Sequence, residues 1–320
     1  MSSINNRIEW IDICKGLGMI LVVLGHTGLS KISQVTYDWI YSFHMPLFYL
    51  LSGLCFNNDK YKKFNIYIKR RSKTLILPFF ILNTIIFIWG YYTPIPNVTI
   101  NKIDLLTGVS ALYFVRVLFI SELWNFILRK LIPDRLLFFL TVIAISIIGH
   151  YLIQNNEHMI KFLLPDIATI YYAIGNILSK KLKSYKTNRT IYNTLAIIFS
   201  LVFSLLFLHS SIDEIILAAA GITTLIAISF TFSRFKATIT NPLTYIGQNT
   251  LIILALHPLI YNHLKLVTQV FISNSIADCL LRIIITWGLL FFSIWLFNKY
   301  IPWAVGKTNI IFKDKTEYRF

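Results

Sequence analysis

The feature that most constrains this chain is the recurrence, along almost its whole length, of largely apolar runs close to twenty residues long, such as Leu136 to Leu152 and Ile215 to Phe232. A helix rises about 1.5 Å per residue, so roughly 20 residues cross a hydrocarbon layer of about 30 Å. The runs are rich in Phe, Ile and Leu and lack the alternation of barrel strands, and a helix satisfies its own backbone in lipid. The expected fold is all-α, a polytopic transmembrane helical bundle of about ten helices. Composition agrees: 56% of residues are hydrophobic and 15% aromatic, with a mean hydropathy of +0.65. Spans are expected near 13–29, 37–56, 74–92, 109–128, 136–152, 163–179, 191–208, 214–232, 247–264 and 281–303, within a single domain covering 1–320.

The formal charge of +16 would suit a nucleic-acid binder if it lay on one soluble face. It is instead divided into short tracts between spans: Lys69-Arg70-Arg71-Ser72-Lys73, Arg129-Lys130 and Lys180-Lys181-Leu182-Lys183. The positive-inside rule places these tracts, and with them both termini, on the cytoplasmic side. The expected partner of the surface is the lipid bilayer, and no nucleic acid is expected. The first span has no small-residue cleavage site after it and reads as a retained helix. Together these features indicate a multi-pass protein of the bacterial cell inner membrane. The outward connections, Tyr92 to Thr107 and Gln154 to Asp166, are short. Cys14, Cys55 and Cys279 form no CxxC pair, which argues against a disulfide framework or a zinc cluster, and they read as packing residues.

Chemistry is expected where polar side chains interrupt the apolar runs, because an ionisable group in lipid needs a partner or a task. In span 1, Lys15 stands at the cytoplasmic mouth and His26 deep inside. At 1.5 Å and 100° per residue they are roughly 16 Å apart and within about 20° of one face. One face thus offers a cation to the phosphates of a long ligand and an imidazole to its far end. A coenzyme A thioester has that shape, and a histidine is suited to take a proton from an acceptor hydroxyl. The competing reading is a packing histidine helped by Gly16, Gly18 and Gly25, with Lys15 merely snorkelling to the interface.

Span 2 carries His44 beside Pro46, a break that tends to border a cavity. His44 is a candidate for lining the acceptor site, with packing as the alternative. Arg70 and its neighbours form either a topology signal or a phosphate site. Arg116 has Glu122 six residues on, so a structural ion pair stands against a substrate role. His257, beside Pro258, either lines or orients the site or packs. The histidines are not spaced i, i+4 on one helix, so no metal site is expected.

These motifs resemble acyltransferase family 3 of integral membrane proteins, and within it the fucose 4-O-acetylase-like group. The match is carried by Lys15, ten residues and His26, with Asp12 upstream. Phe43-His44-Met45-Pro46 to Ser52-Gly53, Tyr172 to Gly175, and Tyr245-Ile246-Gly247-Gln248-Asn249-Thr250 leading to His257-Pro258 add to it. The resemblance implies His26 as catalytic residue with Lys15 as its partner, acetyl-CoA as donor substrate with no permanently bound cofactor, and a glycan or lipid-linked sugar as acceptor. It also implies donor contacts from Arg70 and Lys73, although the family's Arg-x-x-Arg is here Arg70-x-x-Lys73. Lysine keeps the charge and loses the bidentate fork. Tyr113 stands where the family often has tryptophan and keeps a smaller stacking ring. Asp12, His44, Tyr113, Arg116 and His257 are the expected substrate-side residues.

The expected activity is O-acetyl transfer to a cell-surface glycan, such as an O-antigen or capsule precursor, with His26 activating either the sugar hydroxyl directly or the acyl group through a transient acyl-imidazole. A transporter or flippase of lipid-linked sugars, using Arg116 and the basic loops, is the alternative.

Overall fold

In the computed structural model the chain is described over residues 7–61, 63–93, 101–155, 162–185, 189–210, 214–272 and 275–307. Both termini, and parts of the expected outward connections Tyr92 to Thr107 and Gln154 to Asp166, lie outside the described residues.

Among the described residues the chain forms thirteen α-helices and no strand. They are α1 (Glu9–His26), α2 (Gln34–Cys55), α3 (Phe64–Arg71), α4 (Leu77–Tyr92), α5 (Asp104–Thr107), α6 (Tyr113–Leu131) and α7 (Arg135–Asn155), followed by α8 (Ile167–Lys183), α9 (Thr190–Leu206), α10 (Glu214–Phe232), α11 (Ala237–Gly247), α12 (Thr250–Phe271) and α13 (Ser275–Tyr300). Six helical stretches are long and apolar enough to cross a membrane: Phe64–Tyr92, Ser110–Leu131, Arg135–Asn155, Glu214–Phe232, Thr250–Phe271 and Ile276–Tyr300. Helix α9 is a shorter apolar helix of the same kind. Helices α1, α2 and α8 also fall on expected spans, but polar and charged residues such as Asp12, Lys15, Asp38 and Lys180 dilute their apolarity. The protein is thus an all-helical membrane protein.

The centre of the molecule is made where small residues let these polar helices touch backbone to backbone. A Cβ on Gly53 would run into the carbonyl of Tyr172, and one on Gly175 into that of Leu50, so α2 and α8 meet through a reciprocal pair of glycines. Helices α1 and α11 repeat the device: Gly16 abuts the carbonyl of Leu243, and Gly247 that of Asp12. The late motif around Gly247 is therefore a docking surface for the first helix. Phe43 of α2 fills the space over Gly221 of α10. Helices α9 and α10 share a Ser200–Thr224 hydroxyl bond of 2.8 Å, and Trp39 Nε1 donates to Ser204 Oγ at 2.9 Å.

Two departures from the expected spans have local causes. The expected third span starts at 74, whereas helix runs from Phe64 through a π-helical segment, Ser72–Ile76, into α4. Pro78 cannot donate to the carbonyl of Thr74 and its ring would crowd that oxygen in a regular helix. The wider turn makes room, and Gly306, at φ 77°, approaches the same Thr74 carbonyl so closely that a Cβ there would lie 2.5 Å from it. The expected first span reaches 29, but α1 stops at His26, because Gly28 takes a left-handed φ of 78° and Thr27 Oγ1 turns back to donate to Leu24 O at 2.9 Å. His26 is consequently the last helical residue and is exposed at the helix end.

Candidate active site

Three helices converge on His26. Helix α2 contributes Tyr41 and His44, and α12 contributes His257. The rings of His26 and His257 are 5.1 Å apart, those of His26 and Tyr41 5.8 Å, and those of Tyr41 and His44 4.8 Å. Tyr41 Oη lies 3.4 Å from His26 Nδ1, at the long edge of hydrogen bonding. Tyr37 stacks on Tyr41 at 4.2 Å and fixes its ring. The predicted residues His26, His44 and His257 are thus brought together from distant parts of the sequence.

The two neighbours differ from His26 in exposure and in the nitrogen they present. His44 and His257 are 6% and 1% exposed. Each places Nδ1 against the carbonyl four residues earlier, His44 on Ile40 at 3.1 Å and His257 on Ile253 at 2.8 Å. A carbonyl only accepts, so Nδ1 carries the hydrogen and Nε2 is left as an acceptor. Among the described residues His257 Nε2 is buried with no hydrogen-bond partner. Such an orphan costs about 1–3 kcal/mol, and a substrate hydroxyl or a water at the cluster would complete it.

Tyr113, at the start of α6, is half exposed. Arg116, one turn further on, donates Nε to Thr107 O at 3.0 Å and Nη1 to Phe162 O at 3.1 Å, with its guanidinium 4.9 Å over the Phe162 ring. It borders a cavity of about 470 Å³ walled by Leu75, Phe79, Phe119 and Ile120. Among the described residues no contact links Arg116 to the three histidines. Its expected partner Glu122 belongs to another residue: Arg71 grips that carboxylate with two prongs, Nη2 to Oε2 at 2.7 Å and Nε to Oε1, and Tyr172 Oη donates to Oε2 at 3.0 Å. Arg71 is therefore the structural member of the basic tract.

In the N-terminal half of α1, nearly two turns in from Glu9, Lys15 Nζ lies 3.7 Å from Cys55 Sγ at the end of α2. Lys15 and His26 are eleven positions apart in the helix, roughly 16 Å along the axis. Asp12 Oδ2 accepts from Gln248 Nε2 at 3.0 Å and pairs with Arg7 at 3.8 Å, so it fastens α1 to the α11–α12 junction. Arg70 is exposed, 5.9 Å over the Tyr61 ring, and Lys73 sits half-buried in the π-helical turn. Like-charge crowding marks this end: Arg70 first, then partial burial, then Arg71 push the Lys60 amine below its ordinary range.

Sequence reasoning missed five residues, Tyr37, Tyr41, Cys55, Asp278 and Arg282. Tyr37, Tyr41 and His44 follow i, i+4, i+7 spacing on one face of α2, a signal that was available. Cys55, read as packing, is exposed beside Lys15, while Cys14 and Cys279 are buried. Asp278 and Arg282, an i, i+4 pair in an apolar helix, form a buried ion pair with Arg282 4.9 Å over Tyr261. Among the described residues no three His, Cys, Asp or Glu side chains are grouped to hold a metal ion.

Fold and site together define an all-helical membrane protein with a histidine-lined centre at the end of its first helix and a lysine in that helix's N-terminal half. The profile of acyltransferase family 3, described as an acyltransferase domain, matches residues 8–298, and the chain belongs to that family. Nodulation protein NolL of Mesorhizobium japonicum is 29% identical over 188 residues, covering 53% of this chain and 48% of that protein. The chain thus spans about half the length of this curated relative. No solved structure matches it.

Proposed function

We propose that this membrane acyltransferase is an O-acetyltransferase that moves an acetyl group from acetyl-CoA to a hydroxyl of a cell-surface glycan, with a lipid-linked sugar or capsule or O-antigen precursor as acceptor. The observation that carries this reading is the convergence of His26, Tyr41, His44 and His257 about 16 Å along α1 from Lys15. Lys15, with Arg70 and Lys73, takes the phosphates of the donor, and the pantetheine arm follows α1 towards His26.

There His26 accepts the proton of the acceptor hydroxyl as its oxygen attacks the thioester carbonyl. The C–S bond breaks, the acetyl group stays on the sugar oxygen, and the proton on His26 passes to the departing thiolate. Atoms balance without an added cofactor: hydroxyl and acetyl thioester give ester and thiol. His257 Nε2 and His44 Nε2 accept hydrogen bonds from the acceptor sugar, and Tyr41 holds the His26 ring. Tyr113 supplies a stacking face at the rim.

In this reading all ten hydrophobic units cross the bilayer: the six long stretches, α9, and α1, α2 and α8. The basic end faces the cytoplasm of a bacterial cell, in its inner membrane, with both termini on that side. A transporter of lipid-linked sugars would need Arg116 as its phosphate holder, and that guanidinium is tied to the carbonyls of Thr107 and Phe162. Purified protein in nanodiscs, given [¹⁴C]acetyl-CoA and a membrane extract containing lipid-linked glycans, tests the reaction. Label in the glycan fraction, absent with His26→Ala, is expected. Equal labelling by native and variant protein contradicts the proposal.

A further inference from the structure

A second concavity lies at the Lys15 end, and the proposed chemistry does not use it. It has a volume of about 270 Å³ and is walled by the turn after α2, the α6–α7 corner and the end of α8. Four cations line it, Arg129, Arg135, Lys180 and Lys183, against one carboxylate, Asp59. The uncharged wall is hydrogen-bonded into place: Asn176 Nδ2 donates to Phe56 O at 3.2 Å, and Ser179 Oγ to Leu54 O at 2.8 Å. Arg129 is oriented as well, since Nη1 donates to Pro133 O at 2.9 Å and the guanidinium stands 5.5 Å over Phe138.

A topology signal needs only cations somewhere on one side of the membrane. Here two separate chain segments, the α6–α7 corner and the end of α8, bring them into one hollow, where four cations face a single carboxylate and an entering anion relieves their repulsion. The hollow is smaller than the roughly 300–1,000 Å³ of sites for drug-sized ligands. It therefore suits a phosphate-bearing end group rather than a whole ligand, and guanidinium and ammonium groups together are the donors such a group takes.

We propose that the hollow between α2, α6–α7 and α8 is a phosphate-binding site, distinct from Arg70 and Lys73, that holds either the nucleotide phosphates of a soluble ligand or the headgroup of an anionic phospholipid. Its position supports both sources. Phe56 in its wall follows Cys55, the neighbour of Lys15, so a nucleotide bound near Lys15 is close by. Basic hollows between helices at the membrane surface also take anionic lipid headgroups.

The full chain in phosphatidylcholine nanodiscs is titrated with 3′-phosphoadenosine 5′-diphosphate. In parallel, native mass spectrometry counts phosphatidylglycerol retained from mixed bilayers. One probe is expected to bind, and which one binds identifies the source. Losing two charge-assisted contacts in Arg135→Gln/Lys183→Gln weakens it about tenfold or more, while Arg135→Lys/Lys183→Arg stays near native. Lys60→Gln, which removes an exposed cation outside the hollow, changes binding less than about twofold. Either single Gln variant gives the same comparison if the double variant does not fold. Binding of neither probe, native binding by the Gln variants, or an equal loss in Lys60→Gln overturns the proposal. Neither readout involves turnover, so its failure is distinguishable from failure of the transferase reading.

Discussion

The imidazole of His26, at the end of the first helix, faces that of His257 in the twelfth at a ring separation of 5.1 Å. One ring is exposed, and the other is 1% exposed with its Nε2 unmatched. In the proposed reaction the first moves the proton and the second orients the acceptor. His257→Phe, which keeps the ring volume and removes the acceptor nitrogen, is expected to raise KM for the acceptor and lower transfer by about tenfold to a hundredfold. The KM for acetyl-CoA stays unchanged. A kinetic series in nanodiscs reads both constants, and an unaltered acceptor KM contradicts the orienting role.

Cys55 is the exposed thiol of the three, and Lys15 Nζ lies 3.7 Å from it. If donor phosphates seat on Lys15, bound acetyl-CoA shields that sulfur. Alkylation by a maleimide is therefore expected to fall on Cys55 and to slow by about fivefold or more at saturating donor. Peptide mapping with and without donor measures this. Unchanged labelling at saturation places the phosphates elsewhere.

Arg71, partly buried, pairs with the buried carboxylate of Glu122, and Tyr172 is a third member. Removing one partner leaves the other charge uncompensated, at about 3–5 kcal/mol. Glu122→Ala is expected to lower the thermal midpoint in detergent sharply, whereas Arg116→Gln, whose native side chain does not bond Glu122, moves it much less. Equal losses would remove the distinction between the two arginines.

Gly53 and Gly175 hold α2 and α8 at backbone contact. A methyl group at either position meets carbonyl oxygen rather than a yielding side chain, and such overpacking costs about 1–3 kcal/mol. Gly175→Ala is expected to reduce stability by that amount. Gly288→Ala serves as the control, since a Cβ there meets nothing within 4 Å.

Lys307 donates from Nζ to Asn249 Oδ1 at 2.7 Å and to Asn298 Oδ1 at 2.6 Å beside the α11–α12 junction. Burial first, then Arg7, hold its amine below the ordinary lysine value of 10.5. The unfolded chain therefore keeps this proton to higher pH than the folded one, so stability rises with pH between the depressed value and 10.5. Denaturation curves at several alkaline pH values should show that rise, diminished in Lys307→Met.

Much of this architecture is legible in the sequence because lipid leaves few options: six helical stretches long and apolar enough to cross a membrane fall on expected spans, and the span expected at 214–232 coincides with α10. Boundaries slipped where local backbone chemistry ruled, at the π-helical turn before Pro78 and at Gly28 after His26. The histidines stood out as polar groups in apolar runs, but their convergence depends on glycine contacts between distant helices, which no local pattern encodes. The same limit hid the exchange of partners by which Glu122 pairs with Arg71 rather than Arg116. Tyr41 and the Asp278–Arg282 pair lay within reach of helical spacing alone.

In the proposed reaction His26 performs acetyl transfer to a surface glycan. Proton NMR of the surface polysaccharide is its most direct test, in cells lacking the gene and in cells complemented with native protein or with His26→Ala at equal level. Loss of a general base lowers transfer by about 10²–10⁴-fold. The account predicts that acetyl signals vanish on deletion, return with the native protein and stay absent with the variant. Full restoration of acetylation by His26→Ala, or polysaccharide whose acetylation never depended on the gene, would contradict it.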